Sequence, residues 1–310
     1  MRSLIPALAL VLASCAHSGP SSAQRRVEAV SLLGSPLYAP PLSGEVRAKR
    51  ESELAEALER LARAPEDPDA LIWAGRRLAY LGRYREAVET FTRGIELHPA
   101  DARMFRHRGH RYITLRRFAD AIRDLERGMA IAASRPDEIE PDGLPNPRNV
   151  PIGTLRSNLA YHLGLAHYLQ GDFDRAAAVF SDELARANNA DRVVSASYWL
   201  HLSLRRLGRD DQARAILERI PAAAEVIENH AYRDLLLLFR GDASAQELMR
   251  KAEEGIDAAT VTYGVGAAAL IEGDRAAAAS LFREILRNPQ WAAFGYIAAE
   301  ADLVREERPP

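Results

Sequence analysis

PDALIWAGRRLAYLGRYREAVETFTRGIELHPA, residues 68–100, decides the fold. Leu71, Ala74, Gly75 and Leu78 fall on one face of a first helix. Gly82 breaks it, and Tyr84, Ala87, Phe91 and Gly94 form the apolar face of a second, closed by Pro99. The next stretch repeats the pattern, with Gly109, Phe118, Ala121, Leu125 and Gly128 standing where Gly75, Tyr84, Ala87, Phe91 and Gly94 stood. Corresponding residues lie about 34 positions apart, the length of one helix–turn–helix repeat. Small residues at Gly75 and Ala87 let two helices approach, and large ones fill the space between them. A unit of this kind cannot bury its apolar face alone, so copies stack into a solenoid.

The spacing and residue choice resemble the tetratricopeptide (TPR) pattern. Further copies are expected over 157–190 (Leu163, Gly164, Gly171, Phe173, Ala176, Phe180) and, more loosely, 194–227 (Leu200, Leu204, Gly208, Ala213, Leu217). A degenerate copy covers about 227–258, and a clear one 259–292 with Gly266, Gly273, Ala278, Phe282 and Pro289. A leading helix starts near Gly44 and presents Leu54, Ala57, Leu58, Leu61 and Ala62 on one side until Pro65 and Pro68 end it. A final helix, Trp291 to Val304, is expected to cap the open apolar end of the stack. The reading is an all-α solenoid of about six hairpins over 45–310. Residues 135–156, with five prolines between Pro136 and Pro151, interrupt it as a long loop or flap.

Of 310 residues 47% are apolar, enough for a sizeable core, and the net charge of −2 argues against nucleic acid as a partner. Lys49 and Lys251 are the only lysines among the cations, so arginine abundance alone is no sign of phosphate binding. The single cysteine, Cys15, excludes a disulfide framework. It follows Met1-Arg2, an apolar run from Leu4 to Leu12, and Leu12-Ala13-Ser14. That run is too short to span a bilayer and suits a signal peptide over residues 1–14. The ending resembles a bacterial lipobox, which implies cleavage before Cys15 and lipidation of that residue. Ala16, rather than Asp, after the cysteine implies the outer membrane by resemblance to Gram-negative lipoproteins. Residues 15–44, rich in Ser, Pro, Gly and Ala, read as a flexible tether.

Lipobox, tether and irregular repeats together resemble the NlpI-type outer-membrane lipoproteins. The resemblance is carried by the N-terminus and by about 195–300. There Trp199-Leu200 opens a helix, Phe239-Arg240-Gly241-Asp242 makes a turn and Ser244-Ala245-Gln246-Glu247-Leu248-Met249 begins the next helix. It implies a non-enzymatic, homodimeric adaptor facing the periplasm, and it transfers no individual binding residue.

In a TPR-like unit the first helix lines the concave face. The groove-facing positions then include Asp69, Arg76, Arg103, Arg106 and His110, with Asn158 and Tyr161 beside them. Arginine forks suit carboxylates, so the candidate groove is Arg76, Arg103, Arg106, His110, Asn158 and Tyr161, taking an acidic peptide segment. Pairing of these arginines with Asp69, Glu51 or Glu53 would instead favour a scaffold working through convex or edge surfaces. A loop at 135–156 closed over a pocket would favour a small ligand or an enzyme. His107 and His110 lack a third metal ligand, and Glu138 to Gly143 lacks the closing glutamate of a calcium loop. No nucleophile elbow, phosphate loop or HExxH motif is present. The expectation is an interaction protein with no cofactor, no metal and no catalytic site, bound to the membrane through its lipid and to a protein or peptide through its body.

Overall fold

The computed structural model describes residues 26–221, 225–252 and 256–307. Cys15 and the signal peptide lie outside the described residues. The all-α expectation holds: fourteen helices occur among the described residues. They are α1 (Gly44–Arg63), α2 (Pro68–Tyr80), α3 (Tyr84–Leu97), α4 (Ala102–Thr114), α5 (Phe118–Ala132), α6 (Leu155–Gln170), α7 (Phe173–Arg186), α8 (Ala190–Arg206), α9 (Asp210–Glu218), α10 (His230–Arg240), α11 (Ala245–Lys251), α12 (Ile256–Ile271), α13 (Arg275–Ile285) and α14 (Phe294–Glu307). Helices α2 to α13 form six consecutive hairpins.

Local chemistry sets the boundaries. Asp67, Asp101, Asp172, Asn189, Ser244 and Asp274 each accept a hydrogen bond from a backbone N–H in the first turn of the following helix. Pro68, read as a helix breaker, is the first residue of α2, where its missing N–H costs nothing. Within hairpins the small-against-large pattern is literal. A Cβ on Gly75 would stand 2.5 Å from the Phe91 ring, one on Gly109 2.7 Å from Leu125, and one on Gly164 2.7 Å from Phe180. First helices pack on one another from α2 to α12, which puts them on the inner side of the curve.

Two features depart from the expected array. Residues 26–43, read as part of a flexible tether, are folded. Val27–Val30 (β1) and Pro36–Tyr38 (β2) make an antiparallel hairpin that packs on the first repeat. Glu28 is buried, and its carboxylate accepts from the Arg85 N–H at 3.1 Å. It thereby supplies the N-terminal cap that Arg83 does not give α3. The last helix caps the array as expected and also reaches further. Helix α14 packs on α12 and α13 as a cap would, but it also crosses the interior to α6.

Two carboxylates hold α14 in place. Glu300 and Asp302 are both 0% exposed. Arg116 grips Glu300 with two bonds, at 2.9 and 3.0 Å, and donates to the Trp291 carbonyl at 2.9 Å. Asp302 accepts from Arg206 at 2.8 Å, from Arg305 at 2.6 Å and from the Tyr263 hydroxyl at 2.8 Å. The hairpin joins the same knot: Trp291 Nε1 donates to the Tyr38 carbonyl at 2.5 Å, and Tyr84 meets the Trp291 ring edge-on. Chain segments more than 250 residues apart thus close the curve into a ring.

The turn between paired helices carries a left-handed glycine at Gly82, Gly171, Gly208, Gly241 and Gly273. In the second repeat that place belongs to Arg116, at φ 62°. A side chain there costs about 1–2 kcal/mol relative to glycine, and Arg116 uses it to reach Glu300. Replacement of Arg116 by glycine should therefore relieve the turn and still destabilise the protein. An uncompensated Glu300 is expected to cost about 3–5 kcal/mol. Urea unfolding of Arg116→Gly against the Arg116→Gly/Glu300→Leu double variant checks this, with partial recovery expected in the double variant.

Candidate functional site

The predicted groove residues sit on α2, α4 and α6 under the 135–156 segment, with one exception. Arg103 does not join them. It lies at the start of α4, bonded to Asp101 at 2.6 Å and to Asp69 at 2.7 Å, and these carboxylates hold its guanidinium pKa above the usual value. The groove that would have been basic at Arg103 is neutralised by its own acids.

The other five converge on a space that the chain itself fills. The 135–156 segment is an ordered flap, pinned at its base by a bridge between Ile139 and Thr154. Thr154 then caps α6, with Ser157 completing the reciprocal capping box. Glu140 of the flap is buried, with Arg106 at 3.0 Å, the Asn158 amide at 2.8 Å and His107 at 3.4 Å. Arg76 donates to the Pro141 carbonyl at 2.9 Å, and Arg77 to the Gly143 carbonyl at 3.2 Å while pairing with Glu53. A side chain at Gly143 would collide with the Tyr80 hydroxyl, so only glycine lets the flap lie this close. The far end is tied by Asn146 to Glu228 at 2.6 Å and by Asn189 to the Ile152 carbonyl at 2.9 Å.

Beneath the flap the interior is aromatic. His110 lies 4.3 Å from His162, ring centre to ring centre, and 5.3 Å from Phe294 of α14. Tyr161 OH shares a 2.7 Å hydrogen bond with Tyr232 OH and accepts from Trp199 Nε1 at 3.3 Å. Burial pushes the pKa of His107, His110 and His162 well below the ordinary histidine range, and the neighbouring arginines Arg106 and Arg111 add to it. Burial also brings Arg111 down to about 10. A cleft of about 370 Å³ remains, bordered by Arg106, Asn158, Tyr161, His162, Tyr232 and Phe294 among others. Among the described residues no group of three or more His, Cys, Asp or Glu could hold a metal ion.

Sequence reading missed the two carboxylates of α14 and the role of Glu140. A signal was present for the first. Glu300 and Asp302 are the charged residues within an otherwise apolar stretch from Phe294 to Val304, and the second repeat lacks the turn glycine found in its neighbours.

The chain is a helical-hairpin solenoid whose inner face is occupied by its own last helix and an inserted flap. Residues 74–138 and 161–226 match the family model described as tetratricopeptide repeat. Similar solved structures include YrrB, described as a TPR protein with an unusual peptide-binding site. It is 13% identical, with 81% of this chain and 97% of that one covered and a TM-score of 0.44. A tetratricopeptide repeat protein from Parabacteroides merdae is also 13% identical, covering 84% and 100% with a TM-score of 0.49. The Naa15/Naa10 complex bound to HypK-THB is 16% identical, covering 81% and 37% with a TM-score of 0.38. A comparison with curated proteins finds no match.

Two outcomes follow from this geometry. Arg106→Glu sets a second carboxylate against Glu140, and the flap is expected to release. Limited proteolysis should then cut within 139–153 at a rate at least tenfold above wild type, while the helical circular-dichroism signal persists. Acid should also weaken the fold. Each buried histidine has a folded pKa below its unfolded one, so the unfolded chain binds more protons. Stability is complete above about pH 6.5 and falls below it by up to about 1.4 kcal/mol per pH unit for each histidine. Urea midpoints at pH 7.5 and 5.0 measure the loss, and His110→Asn should reduce the difference.

Proposed function

We propose that this protein is a lipid-anchored interaction scaffold of the cell envelope that meets its protein partner on outer and edge surfaces rather than in the concave groove. TPR solenoids serve as extended surfaces for holding other molecules. One observation carries the choice of surface: the inner face is already taken by α14 and by Glu140 of the flap, and Arg103 is satisfied by Asp101 and Asp69. The peptide-capture groove expected from Arg76, Arg103, Arg106 and His110 therefore gives way to the assembly-scaffold reading.

The anchor is read from Leu12-Ala13-Ser14-Cys15, and the outer membrane from Ala16. No helix among the described residues is long and apolar enough to cross a membrane. In this reading the acyl chains on Cys15 do the holding, and two or more such chains suffice for stable attachment. The described residues are folded from Val27 onward rather than from Gly44, and the stretch from Cys15 to Arg26 can span at most about 40 Å. A scaffold on so short a lead works close to the membrane surface.

The test is crosslinking in intact envelopes followed by membrane fractionation and mass spectrometry, wild type against Cys15→Ser. Wild type is expected in the membrane fraction, joined to one or a few dominant proteins. Cys15→Ser is expected in the soluble fraction with those crosslinks lost or reduced. Self-crosslinking in the same experiment reads out the homodimer that the NlpI-type resemblance implies. Unchanged fractionation of Cys15→Ser would overturn the anchor, and the absence of any protein partner in both forms would overturn the scaffold.

A further inference from the structure

The cleft under the flap carries a charge pattern that the scaffold reading does not use. Two of its acid–base contacts are settled: Arg106 with Glu140 at 3.0 Å, and Arg192 with Glu183 at 2.7 Å. Asp142 of the flap and Glu228, just before α10, line the same cleft, and among the described residues neither forms an ion pair. Among the described residues the Glu228 carboxylate accepts from the Asn146 amide alone, and Asp142 Oδ2 is buried without a hydrogen-bond partner. Arg76 lies near Asp142 but donates to the Pro141 carbonyl and the Tyr80 hydroxyl instead. Burial raises the pKa of both carboxyl groups, and the field of Asp142 adds to the rise at Glu228.

The remaining walls fit a cation as well. His162 is buried, at 4% exposure, and borders the cleft. Its Nδ1 lies 2.6 Å from the Asn158 carbonyl, which places the proton on that nitrogen. Its Nε2 then offers a lone pair and has no hydrogen-bond partner among the described residues. Tyr232 and Phe294 add aromatic faces, which attract cations. The volume of about 370 Å³ falls in the range of small-ligand sites.

We infer that this cleft binds a compact organic cation, a primary ammonium held between Asp142 and Glu228 with its body against Tyr232 and Phe294. The flap, already tied across the cleft by Asn146, forms the lid. The inference stands apart from the scaffold reading: a failed crosslinking experiment leaves it intact, and its own failure leaves the anchor and partner untouched.

Isothermal titration and thermal unfolding with putrescine and L-lysine at pH 7.5 provide the test. N,N′-Diacetylputrescine, which has no ammonium left, serves as the charge-erased probe and succinate as the charge-reversed one. Wild type is expected to bind at least one of the two ammonium probes saturably with a rise in Tm. Its affinity for the acetylated probe should be at least tenfold weaker. The Asp142→Asn/Glu228→Gln variant should lose at least tenfold in affinity while keeping its urea midpoint. If that variant does not fold, Asp142→Asn alone, on the flap, carries the same expectation. No saturable binding of either ammonium, equal binding of the acetylated probe, preferential binding of succinate, or full affinity in the variant would each overturn the inference.

Discussion

The bidentate pair between Arg116 and Glu300 is the contact on which the closed shape depends. Without it, α14 is an ordinary seventh first-helix with an acidic residue facing a protein interior. With it, the helix is committed to the inside of the curve, and Trp291, Tyr84 and the N-terminal hairpin find their places around the same point. A desolvated ion pair is weak evidence for stability, since an apolar replacement is often as good. Its value here is positional. Glu300 can be buried only where Arg116 reaches, and Arg116 reaches it from a turn position that its neighbouring repeats give to glycine.

Filling the interior changes what the solenoid is. An open array adds stability roughly repeat by repeat, through contacts between neighbours alone. This one also has contacts between its first and last elements, through Tyr38, Leu32, Trp291 and Glu300. The inner face has become core, and the outer helices and the flap's upper side are what the protein shows. Ile139, Leu144 and Val150, all exposed, lie on that upper side.

Much of the architecture was legible because each repeat states it locally. Gly75 against Phe91 and Gly109 against Leu125 are contacts inside one hairpin, and a period of about 34 residues exposes them. What was not legible was long-range. Nothing near Glu140 announces that it will meet Arg106, and a Ser- and Pro-rich stretch gives no sign that Glu28 will cap a helix more than fifty residues on. The flap's place over the groove residues was hidden for the same reason. Repeat position fixes which way Arg76 and Arg106 point, but not whether another part of the chain already stands there. Arg103 was the partial exception, since Asp69 sits one repeat earlier at a facing position.

The ring has a consequence for how the chain assembles. Hairpins in the middle of the array depend on near neighbours and can form as soon as they are made. The closing contacts cannot, because α14 is synthesised after every repeat it clasps and the hairpin it meets was made before them all. Until α14 arrives, Arg116, Arg206 and Tyr263 face water along an open apolar trough. Contacts of such sequence separation are slow to form and leave that trough exposed meanwhile. The interior that makes the finished protein self-contained is, during synthesis, its stickiest surface.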